Sequence, residues 1–276
     1  MRFRFLMENK TDGPGCIAEH GLSIYIETQG RRLLFDTGAS GLFVQNAEKL
    51  GVDLGRVDDV VISHGHYDHT GGVPAFCDCN KTAPIYIHKN AFHETYGLEQ
   101  NGEWEKEPCS IRWTQEQRQA MEPRIVRTDG VTQISDTIVI SGTIPKMEGY
   151  EPTETFFRKL EDGRYEADPM DHEQILIIRE EEGLYVFSGC SHRGVVPAIR
   201  YARELFGGER IAVLVAGMHL YNAEKALRKK VIGQILSEDM DLVMPVHCTG
   251  IEGICELKAA LGEKCVAAAA GSGYGY

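Results

Sequence analysis

Residues 63–72 read Ser63-His64-Gly65-His66-Tyr67-Asp68-His69-Thr70-Gly71-Gly72 and close an apolar run, 57–63, with the pattern of a buried strand. Three imidazoles and a carboxylate within 64–69 form a dense set of first-row metal ligands. At a strand end His64 and His66, two residues apart, project to the same side. A turn at Tyr67 then swings Asp68 and His69 to an adjacent point, where a second metal finds its first ligands. Such spacing suits a two-metal site that makes hydroxide from bound water near neutral pH. The chain has only ten histidines, so this crowding argues against a polar loop that is merely histidine-rich.

Further along, His192 and His247 each stand just after an apolar run, 184–188 and 242–246, in the same local setting as His64. Strand ends on one rim of a sheet collect side chains from distant parts of a chain. Both are therefore expected to ligate metal. His88 and His93 lack that setting and read as structural. The N-terminal third is strand-rich: 22–28 and 31–35 flank a Gln29-Gly30 turn, a helix is expected over 42–50, and 84–88 reads as a strand. Residues 97–123 carry both tryptophans among many Glu and Gln and read as an insertion that lies over the site. Strands at 134–140, 174–179, 184–188, 211–216 and 242–246 alternate with helices at 195–206, 222–239 and 254–261, and a Pro- and Glu-rich connection spans 145–172. No linker splits residues 1–276, so one domain is expected: two sheets face to face with helices outside. The helix 222–239, with Lys225, Arg228, Lys229 and Lys230, reads as a solvated outer face, and 271–276 as a tail, a tag remnant or a last strand.

Composition narrows the partners. A formal net charge of -12 disfavours nucleic acid, whose backbone needs clustered Lys and Arg. It leaves anionic small molecules open, because bound dications dominate a local field. The first ten residues alternate charged and apolar side chains and lack the apolar core of a signal peptide, and the run 211–220 is too short to span a bilayer. The expectation is a cytoplasmic protein with a small-molecule substrate and no membrane or nucleic-acid partner. Its eight cysteines show no disulfide-scaffold spacing.

Asp36-Thr37-Gly38 after a strand, the 64–72 segment, Gly189-Cys190-Ser191-His192 and the late His247 together resemble the metallo-β-lactamase superfamily, in motif order over nearly the whole chain. Glu19-His20-Gly21-Leu22-Ser23, Gly217-Met218-His219-Leu220 and His247-Cys248-Thr249-Gly250 are similar to one subgroup. It includes the archaeal dihydropterin-methyl ribofuranosylaminobenzene phosphate synthase family and many bacterial metal-dependent hydrolases. The resemblance implies an α+β fold, the αββα four-layer sandwich, with two metals at one edge of the sheets. It gives His64 and His66 to the first metal, Asp68 and His69 to the second, and His247 to the completion of the second. In the middle the chain departs from the pattern. Pro169-Met170-Asp171-His172-Glu173 stands where the superfamily often has Pro-Gly-His, and Cys190 falls near the position of a bridging acid. His192 is expected to supply the missing imidazole, with Cys190 either a thiolate ligand or a buried thiol, and with Asp171 and His172 as rivals. Imidazole plus carboxylate suits zinc, with manganese or iron as alternatives.

Asp36 reads either as an acceptor that fixes a ligand imidazole or as a turn residue. His20 and His219 either touch substrate oxygens or pack their loops, and Arg193 either clamps a phosphate or carboxylate or is solvated. The activity implied is a hydrolase acting on an ester, lactone or phosphate-like centre, with Asp68 orienting the nucleophile. The alternatives are a transferase acting on phosphoribosyl diphosphate and a non-catalytic metal sensor.

Overall fold

The computed structural model describes residues 1–98, 102–150 and 152–275. Its first sheet runs, edge to edge, Gly273–Tyr274, Arg2–Met7, Ser23–Thr28, Arg31–Phe35, Asp59–Val61, Ile85–His88 and Ile125–Thr128. The second runs Met240–Pro245, Ile211–Ala216, Gly183–Ser188, Leu176–Glu180, Ile138–Ile140 and Thr132–Gln133. Alternation along each strand gives both sheets an apolar inner face, and these faces make the central core: Phe3, Phe5, Ile24 and Phe35 meet Phe187, Val213 and Val215. Phe3 and Phe187 touch edge to face across the layers at 5.3 Å.

Each sheet also buries its outer face under helices. Leu42–Lys49 and Val73–Cys79 place Phe43, Ala47, Val73 and Phe76 on the first sheet. On the second, Val195–Leu205 turns Val195, Val196, Ile199 and Ala202 inward, the spacing of one helical face. Gly250–Leu261 and Lys225–Leu236 complete that layer. The result is the expected αββα sandwich.

The polar site lies where parallel strands end. Arg31–Phe35, Asp59–Val61 and Ile85–His88 are parallel in one sheet, and Gly183–Ser188, Ile211–Ala216 and Met240–Pro245 in the other. Their C-terminal ends lead into Asp36, His64, Cys190 with His192, His219 and His247.

Several expectations change in detail. The strand before the metal loop is shorter than 57–63, and Tyr67 begins a four-residue helical turn, Tyr67–Thr70. The expected insertion at 97–123, of which 99–101 lie outside the described residues, is half core: Ile111, Trp113 and Met121 join the first sheet's outer layer. A capping box, Thr114 with Gln117, starts the helix Gln115–Met121 there. The connection 145–172, apart from residue 151, holds a hairpin, Phe157–Lys159 with Tyr165–Ala167, paired to Thr95–Tyr96. The helix expected at 222–239 is Lys225–Leu236, and Arg228 on it is not solvated. Its guanidinium reaches Glu252 and Glu256 on the next helix. Gly273–Tyr274 is a folded last strand, with Phe3 opposite Tyr274. No described helix is long and apolar enough to cross a membrane.

Candidate metal centre

Two groups of donors converge at the rim. His64, His66 and His192 place one ring nitrogen each within 4.8 Å of one another, and all three are buried. Beside them Asp68 Oδ2 lies 3.0 Å from His247 Nε2 and 3.7 Å from His69 Nε2. His20, half exposed at the mouth, adds Nε2 at 3.2 Å from the same Asp68 oxygen. All six residues expected as metal ligands are thus brought together. His192 stands with His64 and His66, and neither Asp171 nor His172 joins that group. His172 instead accepts the Gly65 N–H on Nδ1 at 3.1 Å and props the loop. Asp171 accepts from the Asn90 side chain at 2.9 Å.

Behind the rings a hydrogen-bond network sets their tautomers. Asp36 Oδ1 accepts the Ser63 N–H at 2.7 Å, and Oδ2 accepts the Ser63 hydroxyl at 2.7 Å and His69 Nδ1–H at 2.6 Å. Since the Ser63 hydroxyl donates to Asp36, its oxygen accepts His64 Nδ1–H at 2.9 Å. His247 Nδ1–H donates to Asn9 Oδ1 at 2.7 Å, and its backbone N–H donates to buried Glu8 at 2.6 Å. His64 and His247 each spend a proton on the far side and aim a bare Nε2 lone pair at the rim, while His69 Nε2 lies 3.2 Å from Cys190 Sγ. Asp36 is therefore an acceptor that orients ligands, one of the two readings open to it.

The donor set fits a metal. Nε2 of His64, His66, His192 and His247 is buried with no hydrogen-bond partner. An orphaned buried acceptor costs about 1–3 kcal/mol, and four sharing one rim are explained together by a cation. The lone pairs of His247 Nε2 and Asp68 Oδ2 face each other at 3.0 Å, which only a shared proton or metal makes attractive. Burial pushes His64 and His192 well below the ordinary imidazole range and His66 down to about 3, so these rings stay neutral and ready to ligate. For Asp68, burial is outweighed by His69, His20 and His247, which hold its carboxyl well below the usual range. Backbone strain marks the same places. His219 and His247 sit at φ 46° and 50°, beside Ser191 at 56° and Asp36 at 57°, a region that side chains enter at a cost.

The rim opens into a cavity of about 350 Å³ whose walls include Tyr67, Glu105, Arg112, Glu154, Phe156 and Tyr221. His20 and His219 both line it. His219 Nε2 is bonded to Glu154, and its ring lies 4.6 Å from that of His192. Arg193 fits neither of its two readings, clamp or solvated cation: its guanidinium donates to the Ile144 and Pro169 carbonyls and is not among the residues lining the cavity. Arg112 also lines the cavity, stacked over Tyr67 at 3.8 Å. It comes from the 97–123 segment, as do Glu105, Glu107 and Cys109, so part of that segment walls the site as expected. Asn9, Glu8, Glu154 and Arg112 were not singled out from the sequence, because none belongs to a local motif.

A model of the metallo-beta-lactamase superfamily matches residues 17–192, more than half of the chain. The chain belongs to the metallo-beta-lactamase superfamily. Metallo-beta-lactamase folds imply divalent metal binding, in accord with the donor clusters. Two proteins of Methanocaldococcus jannaschii are similar over most of their length. One, uncharacterized, is 27% identical over 87% of this chain and 88% of its own. The other, named 7,8-dihydropterin-6-methyl-4-(beta-D-ribofuranosyl)-aminobenzene-5'-phosphate synthase, is 28% identical over 85% of this chain and 82% of its own. Among solved structures, Tm1679, described as a metal-dependent hydrolase of the beta-lactamase superfamily, superposes with a TM-score of 0.83 at 29% identity, covering 100% of this chain and 99% of that one.

Proposed function

We propose that the protein is a hydrolase that uses two divalent cations, zinc above others, to cleave an ester, lactone or phosphate-like bond in a small molecule. The supporting observation is the pair of adjoining donor groups, His64 with His66 and His192 and His20 with Asp68 and His247, which meet an open cavity at His66, Asp68, His20 and His247. His64, His66 and His192 would hold one cation, and Asp68, His69 and His247 the other. A pair of dications so placed supplies Lewis acidity and lowers the pKa of coordinated water toward neutrality.

The chain's own groups do the rest. Asp68, held by His20, keeps a carboxylate oxygen at the mouth of the site, where it orients an attacking water. Burial works against charge on His219, but Cys248 and Glu154 overcome it and raise the imidazole to about 10. It therefore holds a proton against Glu154 on the cavity wall, placed to stabilise negative charge on a substrate oxygen. Tyr67, Phe156 and Tyr221 give the cavity apolar surface that excludes water.

The walls also bear on the substrate's charge. Glu105, Glu107 and Glu154 face the cavity with Arg112 as the guanidinium among its lining residues. Cations bound on the floor would offset these carboxylates, so neutral and anionic substrates both stay within reach of the site. A second reading rests on the 28% identical relative named as a synthase, which favours group transfer to an aromatic acceptor.

The test is a screen of esters, lactones and phosphodiesters with metal-free protein and protein loaded with zinc, cobalt, iron or manganese. Cleavage that vanishes on chelation and returns with metal supports the hydrolase. Product from an activated dihydropterin-methyl donor and ribofuranosylaminobenzene 5'-phosphate, or from phosphoribosyl diphosphate and 4-aminobenzoate, with no cleavage in the screen, replaces it by the transferase. Less than one metal per chain together with no turnover leaves a sensor.

A further inference from the structure

Between the two donor groups lies a thiol that neither requires. Cys190 follows the strand Gly183–Ser188 by two residues and is buried. Its Sγ lies within 4.8 Å of ring nitrogens of His64 and His69, of His192, and of His247. It is 3.2 Å from His69 Nε2. It therefore adjoins imidazoles of both groups, and the unpartnered Nε2 atoms of His64, His192 and His247 lie around it. The neighbouring Cys248 is placed differently. Its Sγ accepts the His219 backbone N–H at 3.2 Å and lies 3.8 Å from the Cys190 carbonyl oxygen. Its Sγ also lies within 4.8 Å of Cys190 and a ring nitrogen of His247, so it adjoins one donor group, whereas Cys190 adjoins both.

We propose that Cys190 is a thiolate ligand shared by the two metal positions. The inference rests on the reading that both positions fill. On binding, the Cys190 S–H bond breaks, two sulfur–metal bonds form from sulfur lone pairs, and the proton passes to buffer. No electron is transferred. A thiolate at the centre has a further consequence. Soft sulfur tilts the site toward zinc, cobalt and iron and away from magnesium and manganese, which prefer oxygen ligands. The shared position also makes the two metals interdependent, since loss of this ligand loosens both.

Cobalt(II) titration of the metal-free protein tests the idea, read by near-ultraviolet thiolate-to-cobalt charge-transfer absorption and by bound metal per chain. Wild type is expected to take two equivalents and develop the band. Cys248→Ser is expected to keep the band. Cys190→Ser is expected to lose it and to weaken the second equivalent by at least about tenfold, by analogy with the loss of supporting ligand contacts. Should Cys190→Ser fail to fold, Cys190→Asp, which keeps a ligand oxygen, is expected to hold two cobalt ions without the band. Two ions bound to wild type with no band overturn this proposal and leave the hydrolase standing. So does a band that survives replacement of Cys190. Wild type that binds no cobalt overturns both.

Discussion

Asp36 is the residue on which the centre's orientation turns. One buried carboxylate receives the Ser63 N–H and hydroxyl and His69 Nδ1–H, and through Ser63 it also fixes His64. Asp36→Ala strips both groups of their alignment at once. Metal affinity is expected to fall by about 10- to 100-fold, measured by competition with a chromophoric chelator. Unchanged affinity would mean that the rings are held by packing alone. Titration of the metal-free protein gives a second expectation. Burial works against a charged His69, but the Asp36 and Asp68 carboxylates outweigh it and raise the ring to about 9. Stability from that proton is complete below the free-imidazole value of about 6.5 and is lost as pH rises through about 9. His66, depressed to about 3, and His64 and His192, also depressed by burial, act in the opposite sense. The unfolded chain takes up their protons first, so their stability is present above about 6.5 and is lost as pH falls below it. Metal-free protein is therefore expected to melt highest near pH 6.5 and lower on both sides, by calorimetry in the presence of chelator. A melting point that rises steadily from pH 6.5 to 9 would contradict the assignment of His69.

At the scale of elements, the metal loop is held by close backbone packing. A Cβ on Gly65 would overlap the Ala91 carbonyl, and one on Gly71 would overlap that of Ala39. These contacts are with main chain, which cannot swing aside. Gly65→Ala is expected to cost about 1–3 kcal/mol of stability, read from urea midpoints, and to lower metal affinity in the same variant. Loss of neither would show that the loop has slack. Such contacts were hidden in the sequence, where Gly65 is only a spacer between ligands. What was legible had a local period or a local motif. The strand alternations at 22–28 and 31–35, the helix face at 195–206 and the ligand spacing at 64–69 each carry their meaning within a few residues. Other features had local signals too weak to notice. Asp162-Gly163, with Gly163 at φ 82°, makes the turn of a hairpin that the acidic composition of its surroundings masked. Thr114-x-x-Gln117 is a capping box inside a stretch that read as insertion. Arg228 and Arg193 were misplaced for one reason: burial of a guanidinium depends on partners from other elements, Glu252 and Glu256 for one and the Ile144 and Pro169 carbonyls for the other.

Across the whole molecule, the centre joins segments that the rest of the fold connects only through layers. His64, His66, Asp68 and His69 come from the first sheet's rim, His192 and His247 from the second, and Glu8 and Asn9 bind His247 from the N-terminal strand's end. Ions held as proposed would grip both rims and oppose separation of the sheets at that edge. The opposite side has its own fastening. Tyr274 of the last strand stacks on Phe3 at 5.1 Å, and its hydroxyl lies 3.4 Å from that of Tyr185 in the other sheet. These two fastenings predict different responses. Metal held as proposed would bind the folded form more tightly than the open chain, because His192 and His247 join the local donors of 64–69 only on folding. Stability should then rise with free metal by mass action, about 2.7 kcal/mol at a hundredfold excess over Kd. Tyr274→Ala should instead lower stability by a metal-independent amount, about 3 kcal/mol for an aromatic side chain in a core and less here, since the residue is partly exposed. The two effects are expected to add, because the sites lie at different parts of the sandwich. Melting of wild type and Tyr274→Ala, each with chelator and with zinc, measures both. If zinc stabilises the variant much less than wild type, the edges are coupled through the core and the rim is not an independent fastening.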